Sequence, residues 1–265
     1  MTALTRGRWL RSAGLLLASL LAALLTARLG LWQLDRARQK LELQTRMQSR
    51  AELPPLAQAD LARNLSQADD QHYRRIVLRG RWLADATVYL DNRQMNARPG
   101  YFVVTPLLLA DGDAVLVQRG WMARDFTDRT RLAALPTPVA EVVVPGRIAP
   151  PPAKLFEFQG TESGPIRQNL DVGSFANEIG QPLRPLSVQQ TEAALMAQPA
   201  PGPASAAADP LLRQWPAPAV DVGKHHGYAF QWFALATLIT GLYVWFQLLR
   251  PLLRPLLARH HARSL

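Results

Sequence analysis

A chain of 265 residues, 48% of them hydrophobic, with a formal net charge of +10, is long enough for one or two domains. The charge is unevenly spread: residues 41–220 hold 18 Lys and Arg against 18 Asp and Glu, so the excess lies at the two ends, where 12 basic residues face only Asp35 and Asp221. This excludes a nucleic-acid groove in the middle section and points to anchoring beside a lipid bilayer, while the absence of cysteine excludes disulfides, thiolate nucleophiles and cysteine-based metal sites.

Residues 1–11 form a basic tail with Arg6, Arg8 and Arg11. Residues 12–34 follow, 23 residues whose only charge is Arg28, enough to cross a hydrocarbon core of about 30 Å. The competing reading is a cleaved signal peptide. Against it, the apolar character resumes after Arg28 and no small-x-small cleavage site or helix breaker intervenes. An amphipathic stretch over residues 37–56 could extend this first helix.

Beyond it the pattern changes to period two. "YRRIVLRGRWL", "ATVYLDNR", "GYFVVTPLLL", "DAVLVQRGWM" and "AEVVVPGRI" are five candidate strands in succession. Between the third and fourth, "ADGD" is a turn signal, so Asp111 and Asp113 read as turn formers. "GPIRQNLD" could add a strand, and "DVGSFANEIG" reads as a capped short helix. Residues 198–219 read as a Pro/Ala-rich tether that cannot pack a core. A second uncharged run of 23 residues covers 227–249, and residues 250–265 form a basic tail with Arg250, Arg254, Arg259, His260, His261 and Arg263.

The predicted fold class is an α+β membrane protein: a two-helix transmembrane hairpin flanking a mainly antiparallel β domain, barrel or sandwich, within residues 35–226. Basic residues on both outer flanks predict that both termini are cytoplasmic and the central domain is outside. Only about ten residues precede the first span, too few for a mitochondrial presequence, so the expected setting is a bacterial inner membrane with a periplasmic domain.

The words "LGLWQLDRARQK", "YLDNRQMNARPGYFVVTPL", "VLVQRGWM" and "HHGYAFQWFALA" occur in that order. Together they resemble the Surfeit-locus (Surf/Shy type) family of cytochrome c oxidase assembly factors, over both spans and most of the intervening domain. The resemblance implies a non-enzymatic accessory protein that helps deliver haem a to the catalytic subunit of cytochrome c oxidase, with the haem a synthesis machinery as a second partner. It also implies that the histidine three residues before the tyrosine of H-x-x-Y-A-x-x-W-F is the haem ligand, with the tryptophan near it. Those positions are His225, Tyr228 and Trp232. Lys224 and the extra His226 depart from the pattern, and the doubled histidine leaves open which imidazole is used.

At about 100° per residue, Trp232, Ala236 and Tyr243 return to within about 20° of the azimuth of His225. A flat macrocycle could lie on that stripe, or the stripe could pack against the first span. His225 and His226 diverge by about 100° and cannot both bind one iron. Arg28, Arg36 and Lys40 have the depth to meet haem carboxylates, and equally to act as interfacial anchors. Two other functional classes stand beside haem delivery: a scaffold for an oxidase intermediate that never touches haem, and a membrane-anchored hydrolase, for which no nucleophile–base pair is visible.

Overall fold

The structure, a computed structural model, describes residues 3–125, 127–128, 132–156, 164–197, 209–215 and 222–253. The far basic tail, with Arg254, Arg259, His260, His261 and Arg263, and most of the expected tether lie outside the described residues. The chain divides into two compact units, one made of Met1–Gln44 with Pro218–Leu265, the other of Thr45–Ala217.

The helix α1 (Ala3–Glu52), whose last residues belong to the second unit, runs well past the expected span. No proline interrupts it until Pro54, and the residue before a proline is driven out of helical geometry, which stops the helix. Its partner α4 (Val222–Tyr243) starts five residues before the expected second span, so Lys224, His225 and His226 belong to its first turns rather than to the loop ahead of it. A π-helical stretch, Val244–Leu249, continues α4. Pro251 supplies its cause: it has no N–H for the carbonyl of Gln247, and the bonding shifts to wider turns. Both helices are long and apolar enough to cross a membrane.

The two helices run antiparallel. Among the shielded residues are, on α1, Ser19, Ala23, Thr26, Gly30, Gln33 and Ala37 and, on α4, His225, Ala229, Trp232, Ala236, Ile239 and Tyr243, with Phe233 shielded beside them. Both sets follow the alternating three- and four-residue spacing of a coiled-coil seam, and the α1 set is mostly small, as close helix contact in lipid requires. At Gly30 a Cβ would stand 2.8 Å from Cζ of Phe233, so only glycine lets the ring seat there. The Thr26 hydroxyl returns its proton to the helix, 2.9 Å from the Ala22 carbonyl. Leu15, Leu16, Leu20 and Leu24 face outward.

The second unit is a β domain. Its strands are β1 (Arg75–Trp82), β2 (Val88–Met95), β3 (Arg98–Leu108), β4 (Ala114–Ala123), β5 (Val142–Ala149), β6 (Ile166–Arg167), β7 (Leu183–Gln190) and β8 (Leu195–Met196). The order β1-β5-β7-β4-β3 closes on itself where Arg81 and Trp82 pair Leu108 and Leu107, giving a five-stranded barrel. This decides between the expected barrel and sandwich. Pairing is antiparallel except β4 with β7 and β2 with β6. β7 was not among the expected strands, yet closure depends on it. The segment read as a possible strand at 164–171 contributes only the two residues of β6.

Period-two burial on β1, with Ile76, Leu78 and Trp82 inside, fills the barrel together with Val115, Val117, Val144, Ile148, Leu186 and Val188. The β2–β3 hairpin turns at Asn96 and Ala97, both left-handed, as a two-residue primed turn requires. A short helix, α2 (Leu65–Gln71), precedes β1; β2 and β6 extend the sheet beyond the barrel, and α3 (Val172–Ile179) packs Phe175 against them. The open side of β1 is covered: Leu56 bridges Ile76, and the Gln58 side chain bonds both the N–H and the carbonyl of Arg79.

Residues 209–215 correct the expectation of a tether up to 219. Leu211 is buried, Leu212 exchanges backbone bonds with Trp121, and the Trp215 indole donates to the Gln190 carbonyl at 2.7 Å. Gly120 makes room: its Cβ would stand 2.7 Å from Cβ of Leu211. Leu211 and Trp215 dock it together with the Leu212 backbone and Asp209, which pairs with Arg119 and Arg213.

A candidate ligand site on the helix pair

The motif histidine is tied to the first helix. His225 Nδ1 lies 2.8 Å from Oε1 of Gln33. An amide oxygen only accepts, so Nδ1 is the donor in this contact, and the tautomer that donates from Nδ1 has its lone pair on Nε2. That tautomer is the one an imidazole needs in order to ligate a metal through Nε2, and hydrogen bonding at the other nitrogen also fixes the ring plane. Among the described residues no group of three or more His, Cys, Asp or Glu could enclose a metal ion. A single imidazole of this kind suits an iron whose remaining equatorial ligands come from a macrocycle.

The other expected site residues separate. Trp232 shares the seam face with His225 and is partly shielded. Tyr228 is 52% exposed, and His226, the residue after His225, is exposed on another face. Ala236 and Tyr243 sit on the seam, so the stripe expected either to carry a macrocycle or to pack against the first span is the face that α4 turns to α1.

The three cations differ as well. Lys40 is seven residues beyond Gln33, hence about 20° away in azimuth and roughly 10 Å further along α1, and it is half-buried. Arg36 stacks over Trp32, 5.6 Å from the ring centroid, and donates to Gln39. Arg28 is exposed and turned about 140° from Gln33. Gln33 itself was missed in the sequence. Its signal was present: a polar side chain at the end of an apolar run, in the seam rhythm of Ser19, Thr26 and Gly30.

Within the β domain, the polar residues of the resembling words have structural partners. Arg93 is buried and donates to the Gln168 carbonyl, while Asp91 pairs with Arg124 rather than with Arg93. Arg119 is buried over the Trp82 ring and donates to Thr137 and the Pro136 carbonyl. Burial pushes its guanidinium below the ordinary arginine value, with Asp209 pulling the other way.

In form this is a small closed β-barrel domain on a chain that also carries two helices long and apolar enough to cross a membrane. A SURF1 family pattern matches residues 20–237, and the chain belongs to the SURF1 family. It is 27% identical over 160 residues to the cytochrome oxidase assembly protein SHY1 of Saccharomyces cerevisiae, covering 57% of this chain and 40% of that protein. Similar stretches join it to a SURF1-like protein of Rickettsia bellii (29% identical; 40% of this chain, 43% of the relative) and one of Drosophila melanogaster (34%; 36% and 37%). The matches span about two fifths of each relative's length.

Proposed function

We propose that this protein is a membrane-anchored assembly factor for cytochrome c oxidase that holds haem a as transient cargo and passes it to the catalytic subunit. It is a binding protein rather than an enzyme. Its helices lie in a bacterial inner membrane with both termini cytoplasmic and the barrel periplasmic. The assembly role draws its support from family membership and from likeness to SHY1. The membrane setting draws its from two apolar helices with outward leucines and from the basic flanks.

The observation that supports the haem reading is the Gln33–His225 contact, since an imidazole that donates from Nδ1 has its Nε2 lone pair available. Bound haem would supply an iron with an open axial position, and His225 would fill it. Trp232 and Tyr228 would flank the ring, and Lys40, with Arg36 beside it, would neutralise carboxylates. Delivery then needs only stronger axial ligation in the oxidase than one imidazole provides.

A scaffold that binds no haem is the second reading. The seam favours it, because the stripe of Trp232, Ala236 and Tyr243 already packs toward α1. Purification of the full chain from cells making haem a separates the two: a Soret band that travels with the protein and is lost in His225→Ala supports haem delivery, and its absence from the unaltered protein supports the scaffold.

A further inference from the structure

The cations of the β domain are unevenly partnered. Arg63, Arg119, Arg124, Arg167, Arg184 and Arg213 each lie within 3.9 Å of a carboxylate. Arg75, Arg79 and Arg81 on β1, and Arg147 on β5, have no such partner among the described residues. Sheet register gathers these four. β1 turns Arg75, Val77, Arg79 and Arg81 outward, and Arg147 stands directly opposite Arg75. Like charges opposed across a strand pair repel. Each spends a donor on a neutral acceptor instead: Arg75 on the Leu53 carbonyl at 3.4 Å, Arg147 on Gln189 Oε1 at 2.9 Å.

The space between the arginines is apolar. Val77 is 48% exposed and faces half-buried Pro145; Val143, opposite Arg79, is flanked by Leu195 of β8, 60% exposed. Because the open side of β1 is already covered by Leu56 and Gln58, a partner cannot add a strand and must bind the side chains of this face. Arginine mixed with aliphatic side chains, without lysine among the outward residues of β1 and β5, is the composition of a protein interface, where arginine is enriched and lysine depleted.

We propose that the outward face of β1 and β5 is a docking surface for a protein partner that presents carboxylates around an apolar contact. The partner supplies the negative charge that the Arg75–Arg147 pair lacks inside the domain. Only the partner's identity rests on the reading above, under which it is a subunit of the oxidase being assembled.

The test places a photo-crosslinking benzoylphenylalanine at Val77 of the full chain, in membranes of cells that make the oxidase. The expected product joins Val77 to a protein segment with at least two carboxylates. Its yield falls about tenfold in Arg79→Glu/Arg81→Glu and recovers when the partner's carboxylates are changed to lysine. If the double reversal does not fold, Arg79→Gln/Arg81→Gln carries the same comparison with a smaller fall. A crosslink to an acidic segment outside the oxidase upholds the docking surface and contradicts the oxidase reading. A crosslink only to lipid, no crosslinked protein, or a yield unmoved by charge reversal overturns the proposal.

Discussion

Gln33 and His225 are 192 positions apart in the chain, yet their side chains meet at 2.8 Å across the helix pair. The contact joins the end of the first apolar run to the first turns of the second and orients one imidazole. If it serves ligation, replacing the acceptor loosens the ring without removing the ligand. Gln33→Leu is expected to weaken haem binding by about tenfold or more, whereas Gln33→Glu, a stronger acceptor, retains it. Titration of the purified full chain with haem checks this, and the nitrogen chemical shifts of the haem-free ring report the tautomer independently. Equal affinity in Gln33→Leu, with the ring still protonated on Nδ1, contradicts a positioning role.

Gly30 tests the seam. A valine there would drive its side chain into the Phe233 ring, where even a Cβ stands 2.8 Å from Cζ. Overpacking of this kind costs about 1–3 kcal/mol. Gly30→Val is expected to lower the melting temperature in detergent, and Phe233→Ala in the same chain to recover part of the loss. Equal melting of the single variant and the unaltered protein would mean that the helices do not meet at Gly30.

Arg184 tests what holds the β domain's N-terminal segment. It is buried, donates to the Leu61 carbonyl at 2.6 Å and lies 3.0 Å from Asp113; Arg63 reaches the same turn from outside, 2.7 Å from Asp111. Arg184→Met leaves a buried carbonyl and two carboxylates short of a partner, an expected loss of about 3 kcal/mol in denaturant unfolding. Arg63→Met, at the exposed end of the network, is expected to cost less than about 1 kcal/mol.

Acid should loosen α3 first. Asp171 caps it: the Lys154 ammonium at 2.8 Å and the Ser174 N–H at 3.1 Å hold the carboxyl at about 2, below its ordinary 3.8. Arg167 likewise holds Glu178 below the usual range. Depressed values mean stability that is complete above about pH 5, beyond the ordinary range of both carboxyls, and lost as pH falls toward about 2. Amide exchange in α3 is expected to speed up over that window and to lose this pH dependence in Asp171→Asn/Glu178→Gln. An unchanged acid response in that variant contradicts the assignment.

The strands that could be read in the sequence were those with clean period two, such as "RIVLRGRW", where every second side chain enters the barrel. β7 escaped because Pro185 interrupts it and because Ser187 and Gln190 are polar yet buried. Ser187 takes up a buried bond from Gln118 at 2.7 Å, a pairing visible only once β4 and β7 are side by side. The docking of Leu211 and Trp215 was hidden for a similar reason, since their partners lie on distant strands. The helices were legible as apolar runs, but not their seam. Leucine outside and alanine inside leave little amphipathic contrast, so Gln33 looked like the edge of a span and not like half of a site. His225 came from the resembling motif, and the structure added the residue that orients it.

The most direct measurement is haem content per protein for the full chain purified from membranes of cells that synthesise haem a, at matched expression. A Soret band is expected with the unaltered protein, no bound haem in His225→Ala, most of it kept in His226→Ala, and weakened binding in Trp232→Ala. Full occupancy in His225→Ala would contradict the account, and loss confined to His226→Ala would move the ligand to the neighbouring imidazole.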